Sequence, residues 1–171
     1  MSTEATDLTI RKTITVSRPI EDAFWLFTEG IGTWWPLATH SVGDERAETA
    51  VFEGRVGGRI YERWDDGTEA PWGEVLVWEP PRRVVYSWQP NPERPAPTEV
   101  EVRFLPEGDS TRVELEHRGW ERMGADASEA MAGYDSGWPV VLASYVERAG
   151  SSGERVATAQ ARRMGSYRVR R

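Results

Sequence analysis

Two hydrophobic periods divide this chain, and they are segregated along it. A period-two stretch opens it: Leu8, Ile10, Ile14 and Val16 alternate with Thr9, Arg11, Thr13 and Thr15, with Lys12 as the one interruption. From about Val51 to His117 the pattern is again that of strands, broken by turn signals. Gly57-Gly58 precedes Arg59 to Trp64, and Asp65-Asp66-Gly67 is a hairpin-type turn. Strands are expected over Trp72 to Glu79, which Pro80-Pro81 ends, and over Val84 to Trp88. A Pro-rich loop spans 90–97; then Val100, Val102 and Phe104 alternate with Glu99, Glu101 and Arg103. After the turn at Glu107-Gly108-Asp109, Thr111, Val113, Leu115 and His117 alternate with Arg112, Glu114 and Glu116. Only then does a helical period take over. Met131, Tyr134, Trp138, Leu142 and Tyr145 share one face of a helix expected over Ala127 to Ala149, with Pro139 expected to bend it.

Between the first strand and the later run, Pro19 suits the first turn of a short helix carrying Ile20, Phe24 and Phe27, which Gly30 stops. A second short helix is expected over Ile31 to Trp35. One strand, two short helices, about six strands and a long helix make an α+β domain: an antiparallel sheet with its helices on one side. A long amphipathic helix buries its stripe against the concave face of a curved sheet. In-strand glycines ease that curvature, and a cavity tends to remain where the sheet does not close.

Composition removes most alternatives. A length of 171 residues suits one domain with one core. There is no Cys, and His40 and His117 are the only imidazoles, so thiolate zinc clusters, disulfides, a Cys nucleophile and a multi-histidine metal site are excluded. No metal and no cofactor is expected. No apolar run approaches the roughly 18 residues of a membrane span, and the acidic polar N-terminus does not read as a signal peptide, so a cytoplasmic protein is expected. The net charge of −7 combines a surplus of five positive charges in residues 151–171 with twelve negative charges in the rest. The domain is therefore placed at 8–149 and a basic, Arg-rich tail at 150–171. The acidic body argues against nucleic acid as a partner, and the tail reads as a solvated segment.

An ordered set of motifs carries a family resemblance. It comprises Trp34-Trp35-Pro36 with Thr39-His40-Ser41, Phe52-Glu53 leading to Gly57-Gly58-Arg59, and Trp72-Gly73-Glu74-Val75. Glu79-Pro80-Pro81-Arg82-Arg83, His117-Arg118-Gly119-Trp120 and Gly137-Trp138-Pro139 complete it. Over about residues 8–149 the chain resembles the START-like, or SRPBCC, helix-grip superfamily, and within it the bacterial homologues of the activator of the 90-kDa heat-shock protein ATPase. The resemblance implies a curved antiparallel sheet wrapped around a long C-terminal helix, a hydrophobic ligand cavity, and frequently no known activity. It also implies that chaperone engagement uses a second domain, for which this length leaves no room.

Three residues are candidates for chemistry. His117 shares parity with Val113 and Leu115, so it faces the apolar side, as a ligand contact, an acid/base, or a hydrogen-bonded anchor at a strand end. Glu74 shares parity with Trp72, Leu76 and Trp78, and Glu62 with Ile60 and Trp64. Either acid could meet His117 in the cavity, although the opposite parity sets leave the inward face open and a solvent-facing or ion-paired Glu is the plainer outcome. The cavity itself is assigned to Trp34, Trp35, Trp64, Trp72, Trp88, His117, Tyr134, Trp138 and Leu142. These rings suit a planar aromatic or lipid-like ligand, or else fill the gap under the helix as core. His40 with Ser41 reads as a polar loop, and Gly54 to Gly58 lacks the features of a phosphate loop.

The expectation is a non-enzymatic protein that binds a hydrophobic small molecule. The alternatives are a polyketide cyclase or hydrolase-like enzyme using His117 with Glu62 or Glu74, and a co-chaperone-type module. Apolar residues on both faces of Val75 to Trp78 also allow a homodimer.

Overall fold

The structure is a computed structural model; it describes residues 8–150 except 92, 94 and 95. The segregated elements appear in the expected order. Strand β1 is Ile10–Val16, helix α1 is Ile20–Phe27, and 3₁₀ turns occupy Ile31–Thr33 and Asp44–Arg46. Six strands follow: β2 Ala47–Phe52, β3 Arg59–Trp64, β4 Glu69–Glu79, β5 Arg83–Trp88, β6 Thr98–Glu107 and β7 Ser110–Arg118. An irregular 3₁₀ segment over Trp120–Asp126 leads into helix α2, Ala127–Ala149. The seven strands form one antiparallel sheet in the order β1-β7-β6-β5-β4-β3-β2, curled into a half-barrel around α2. This is the α+β helix-grip architecture expected from the sequence.

Hairpin geometry extends two strands beyond their apolar patterns. Gly67 has φ of 90°, and Trp64 N–H donates to the Thr68 carbonyl at 2.8 Å across the turn. That closure zips a polar arm into the ladder, so β4 begins at Glu69, and β2 begins at Ala47 because it pairs with Trp64 at the end of β3.

Strand β4 does the bending. Ile60 pairs with Gly73 but Tyr61 pairs with Pro71, leaving Trp72 as an extra residue. Val75 pairs with Tyr86 but Val77 pairs with Val85, leaving Leu76 as another. Each bulge curls the strand and reverses side-chain parity beyond it. Trp72 and Val75 are therefore both buried, Trp78 turns inward onto Phe24 and Phe52, and Leu76 is 39% exposed. Gly73 lets the backbones meet, because a Cβ there would lie 1.8 Å from the Ser87 carbonyl oxygen.

Two contacts fix the helices. Arg18, buried near α1, donates from Nε to the Ala149 carbonyl at 2.8 Å, placing a cation at the negative end of α2. Tyr145 donates its hydroxyl to the Ala23 carbonyl at 2.7 Å, tying α2 to α1. Helix α2 continues through Pro139, at the cost of the bond that an N–H there would make to the Asp135 carbonyl.

The outer face of the sheet is held by ion pairs. Glu101, almost buried, meets Arg83 at 2.6 Å, Arg118 at 2.7 Å and Arg103 at 3.0 Å. Burial resists ionisation of this carboxyl, but the guanidiniums outweigh it and hold its pKa below the ordinary value. Among the described residues no helix is long and apolar enough to cross a membrane, and no group of His, Asp and Glu is placed to hold a metal ion. The basic tail expected at 150–171 lies, apart from Gly150, outside the described residues.

Candidate functional site

The aromatic side chains divide into two populations, and the Trp34-Trp35 pair marks the divide. Trp34 turns into the core, packing on Phe27 and Tyr145, and its Nε1–H donates to the Leu26 carbonyl at 2.7 Å. Trp35, whose ring centroid lies 5.6 Å from that of Trp34, continues the cluster outward to Trp72 at 4.9 Å and Trp88 at 5.9 Å. On that side a cleft of about 900 Å³ lies between the sheet and α2. Trp72 and Trp88 form its sheet wall with Trp35 beside them from the segment after α1, and Tyr134, Trp138 and Val141 face them from α2. Gln89 and Asn91 reach it from the β5–β6 connection and Thr98 from the start of β6; His40, Ser41 and Val42 reach it from the loop after Trp35. The volume falls in the range of roughly 300–1,000 Å³ usual for small-molecule sites.

The four tryptophans of this cleft share one property. Trp35 Nε1–H donates to the His40 carbonyl at 2.7 Å, and Trp72 Nε1–H donates to Glu62 Oε1 at 2.6 Å. Trp88 Nε1–H donates to the Tyr134 hydroxyl at 3.1 Å, and Trp138 Nε1–H donates to His117 Nδ1 at 3.0 Å. Every indole N–H is thus satisfied within the protein. Each ring is thereby held in place, and the four residues are nearly buried, only 1–8% exposed.

This arrangement locates the sequence candidates. His117 is 0% exposed and lies behind the cleft wall. Because Nδ1 accepts from Trp138, the proton sits on Nε2, which donates to Thr98 Oγ1 at 2.7 Å; Thr98 in turn donates to the Trp88 carbonyl at 3.2 Å. Burial drives its pKa down to about 3, so the ring is neutral across physiological pH. Its hydrogen-bonding capacity is complete without a ligand.

Glu62 is also 0% exposed, and its oxygens accept four hydrogen bonds. Val42 N–H at 2.8 Å and Trp72 Nε1–H at 2.6 Å reach Oε1; Gly43 N–H at 2.6 Å and Trp64 Nε1–H at 2.7 Å reach Oε2. Where Glu101 is neutralised by arginines, Glu62 is held by neutral donors alone. It pins the 42–43 backbone and two indoles to β3.

Glu74 is not brought to this site. The bulge at Trp72 reverses parity between Trp72 and Glu74, so the carboxylate faces solvent. Trp64 does not line the cleft either: its N–H goes to Glu62, and the Arg46 guanidinium stacks over its ring at 4.0 Å. Trp34 and Leu142 share the core with the cleft tryptophans but do not line the cleft. The cleft therefore takes Trp35, Trp72, Trp88, Tyr134 and Trp138 from the expected set, with His117 one layer behind. The sequence reading missed His40, Gln89, Asn91 and Thr98. Gln89 and Asn91 sit in a loop with no periodic signal, but His40 was visible as one of two imidazoles. Ser41 serves the loop, donating to the Leu37 carbonyl at 2.6 Å and accepting from Asp44 N–H at 2.8 Å.

Residues 17–147 match the family described as activator of Hsp90 ATPase homolog 1-like protein. The chain belongs to that family. Its helix-grip fold recurs in solved structures. CalC, a self-sacrificing resistance protein from Micromonospora echinospora, is 28% identical, with a TM-score of 0.64 over 84% of this chain and 97% of CalC. An anthrahydroquino-γ-pyrone synthase, Txn09, is 36% identical, with a TM-score of 0.53 over 74% of this chain and 86% of the synthase. The Aha1 dimer from Colwellia psychrerythraea, 19% identical, shares the fold with a TM-score of 0.56 over 82% of this chain and 95% of that one. No curated protein matches the chain.

Proposed function

We propose that this activator-homologue family member binds a planar, hydrophobic aromatic small molecule in the cleft between the sheet and α2. The observation that carries the reading is the set of four indoles whose N–H groups are all tied back into the protein. A ligand entering beside such a wall meets no unsatisfied indole donor, and the rotamers of the rings are fixed before binding. The likeness to a protein named as an anthrahydroquino-γ-pyrone synthase supports a polycyclic aromatic ligand. The experiment is a tryptophan-fluorescence and calorimetric titration with pyrene and acridine, comparing the wild type with Trp88→Ala. Saturable binding by the wild type and loss of affinity in the variant are expected. A protein indifferent to every polycyclic aromatic tried, and carrying no small molecule in native mass spectra, would end the idea.

One observation favours a second reading, an enzyme acting on such a ligand: the 36% identity to that synthase. In this reading His117 would have to release Trp138 or Thr98 before moving a proton, and Glu62 would have to release two of its donors. Turnover that persists in His117→Ala and Glu62→Gln would remove these residues from the chemistry.

A further inference from the structure

The cleft contains a second imidazole, His40, and its situation is the reverse of that of His117. The loop carrying it is pinned along its length. Trp35 Nε1–H holds the His40 carbonyl, His40 N–H donates to the Pro36 carbonyl at 2.9 Å, and Val42 and Gly43 are held by Glu62. The ring is oriented as well, because Nδ1 lies 2.7 Å from the Thr39 hydroxyl. That contact leaves the opposite edge, Cδ2 and Nε2, facing α2 at Gly137. A Cβ built on Gly137 would be 3.9 Å from both atoms, and both residues line the cleft. Among the described residues nothing hydrogen-bonds Nε2. The fold has thus tied back the polar atoms of the aromatic wall while leaving one oriented ring nitrogen on the cleft surface.

Resting on the reading of the cleft as an aromatic-ligand site, we propose that His40 Nε2 is its polar anchor, hydrogen-bonding a hydroxyl or carbonyl oxygen on the ligand's ring edge. An imidazole can serve either group, accepting from a phenolic hydroxyl in one tautomer and donating to a quinone-type carbonyl in the other. Glu62 is saturated, His117 is enclosed and Ser41 is committed to its own loop, so none of these three duplicates it; Gln89, Asn91, Asp126 and Glu129 also line the cleft. The ligand class is therefore an oxygenated polycyclic aromatic rather than a bare hydrocarbon or an alkyl lipid.

The test pairs 1-hydroxypyrene with pyrene, which differ by one hydroxyl on the same ring system. The wild type is expected to bind 1-hydroxypyrene about three- to tenfold more tightly, as one net hydrogen bond allows. His40→Ala should abolish that preference while leaving pyrene affinity within about twofold, and His40→Gln, which keeps a donor and an acceptor, should restore part of it. Circular dichroism and melting confirm that the variants fold. A preference that survives His40→Ala overturns the proposal, since another group then reads the oxygen. Equal loss of both probes also overturns it, making His40 only a wall. If the wild type binds both probes equally, the anchor fails while the aromatic-site reading stands; if it binds neither, both fail together.

Discussion

Replacing Glu62 by Gln changes one atom of a fully buried side chain, and the structure says what that change costs. Both carboxylate oxygens act only as acceptors, each taking one backbone N–H and one indole N–H. In Gln one oxygen becomes an NH₂ group pointing at two donors. Either orientation of the amide strands a pair, Gly43 N–H with Trp64 or Val42 N–H with Trp72. A buried polar group left without its partner costs about 1–3 kcal/mol. Two of them set a gross cost of about 2–6 kcal/mol, part of which is offset because a neutral amide is easier to bury than a carboxylate. A net loss of about 2–4 kcal/mol corresponds to a fall in Tm of roughly 5–15 °C for a chain of this size. Calorimetry and urea unfolding measure it, and indole N–H resonances of Trp64 and Trp72 report which pair is released. A Glu62→Gln protein melting within about 1 °C of the wild type would refute the argument, since it would mean that the four donors do not depend on a carboxylate.

Acid should destabilise the protein partly through His117. Its folded-state pKa lies near 3, below the ordinary 6.5, so the unfolded chain binds the extra proton as pH falls through that window. Stability present above pH 6.5 is lost toward pH 3 at up to about 1.4 kcal/mol per pH unit from this residue. Urea midpoints from pH 7 to 4 should fall more steeply for the wild type than for His117→Gln, and parallel curves would contradict it. Gly73→Ala should cost about 3 kcal/mol or more, because the new methyl overlaps the Ser87 carbonyl and must part β4 from β5; near-normal unfolding would show that the bulge is not needed as drawn. Among the described residues the cleft lining includes Asp126 and Glu129 but no Lys or Arg. Cationic proflavine should therefore bind more tightly than anionic anilinonaphthalene sulfonate, with an advantage that shrinks in high salt and in Glu129→Gln. Tighter binding of the anion would reverse the assigned polarity of the site.

The layout of the fold was legible because it depends on periodicity, which local sequence carries. The alternation over Val100 to Phe104 and Thr111 to His117 marks two interior strands of the sheet, β6 and β7, and Ala127–Ala149 is a helix over the range its apolar spacing suggested. Parity could not choose a face for Glu74 at β4 and left it open, with a solvent-facing carboxylate the plainer outcome. A bulge is set by how two strands pair and not by either strand alone, so counting in twos from Trp72 leads to the wrong side. The tryptophans show the same limit. Composition announced nine of them. It did not distinguish Trp34, committed to the core, from its neighbour Trp35 on the cleft, because that depends on how the short segment after α1 seats against α2.

By itself the sequence determined an α+β sheet wrapped on a C-terminal helix, a family, and a chemistry narrowed by two histidines and no cysteine. These are properties of residue type and order. Tertiary structure alone decided what the polar groups among the rings are for. Hydrogen-bond partners come from segments 20 to 46 residues apart, as with Val42 and Glu62, His117 and Trp138, or Trp88 and Tyr134. Only their convergence shows Glu62 and His117 turned toward the indoles they hold, and His40 turned toward the cleft.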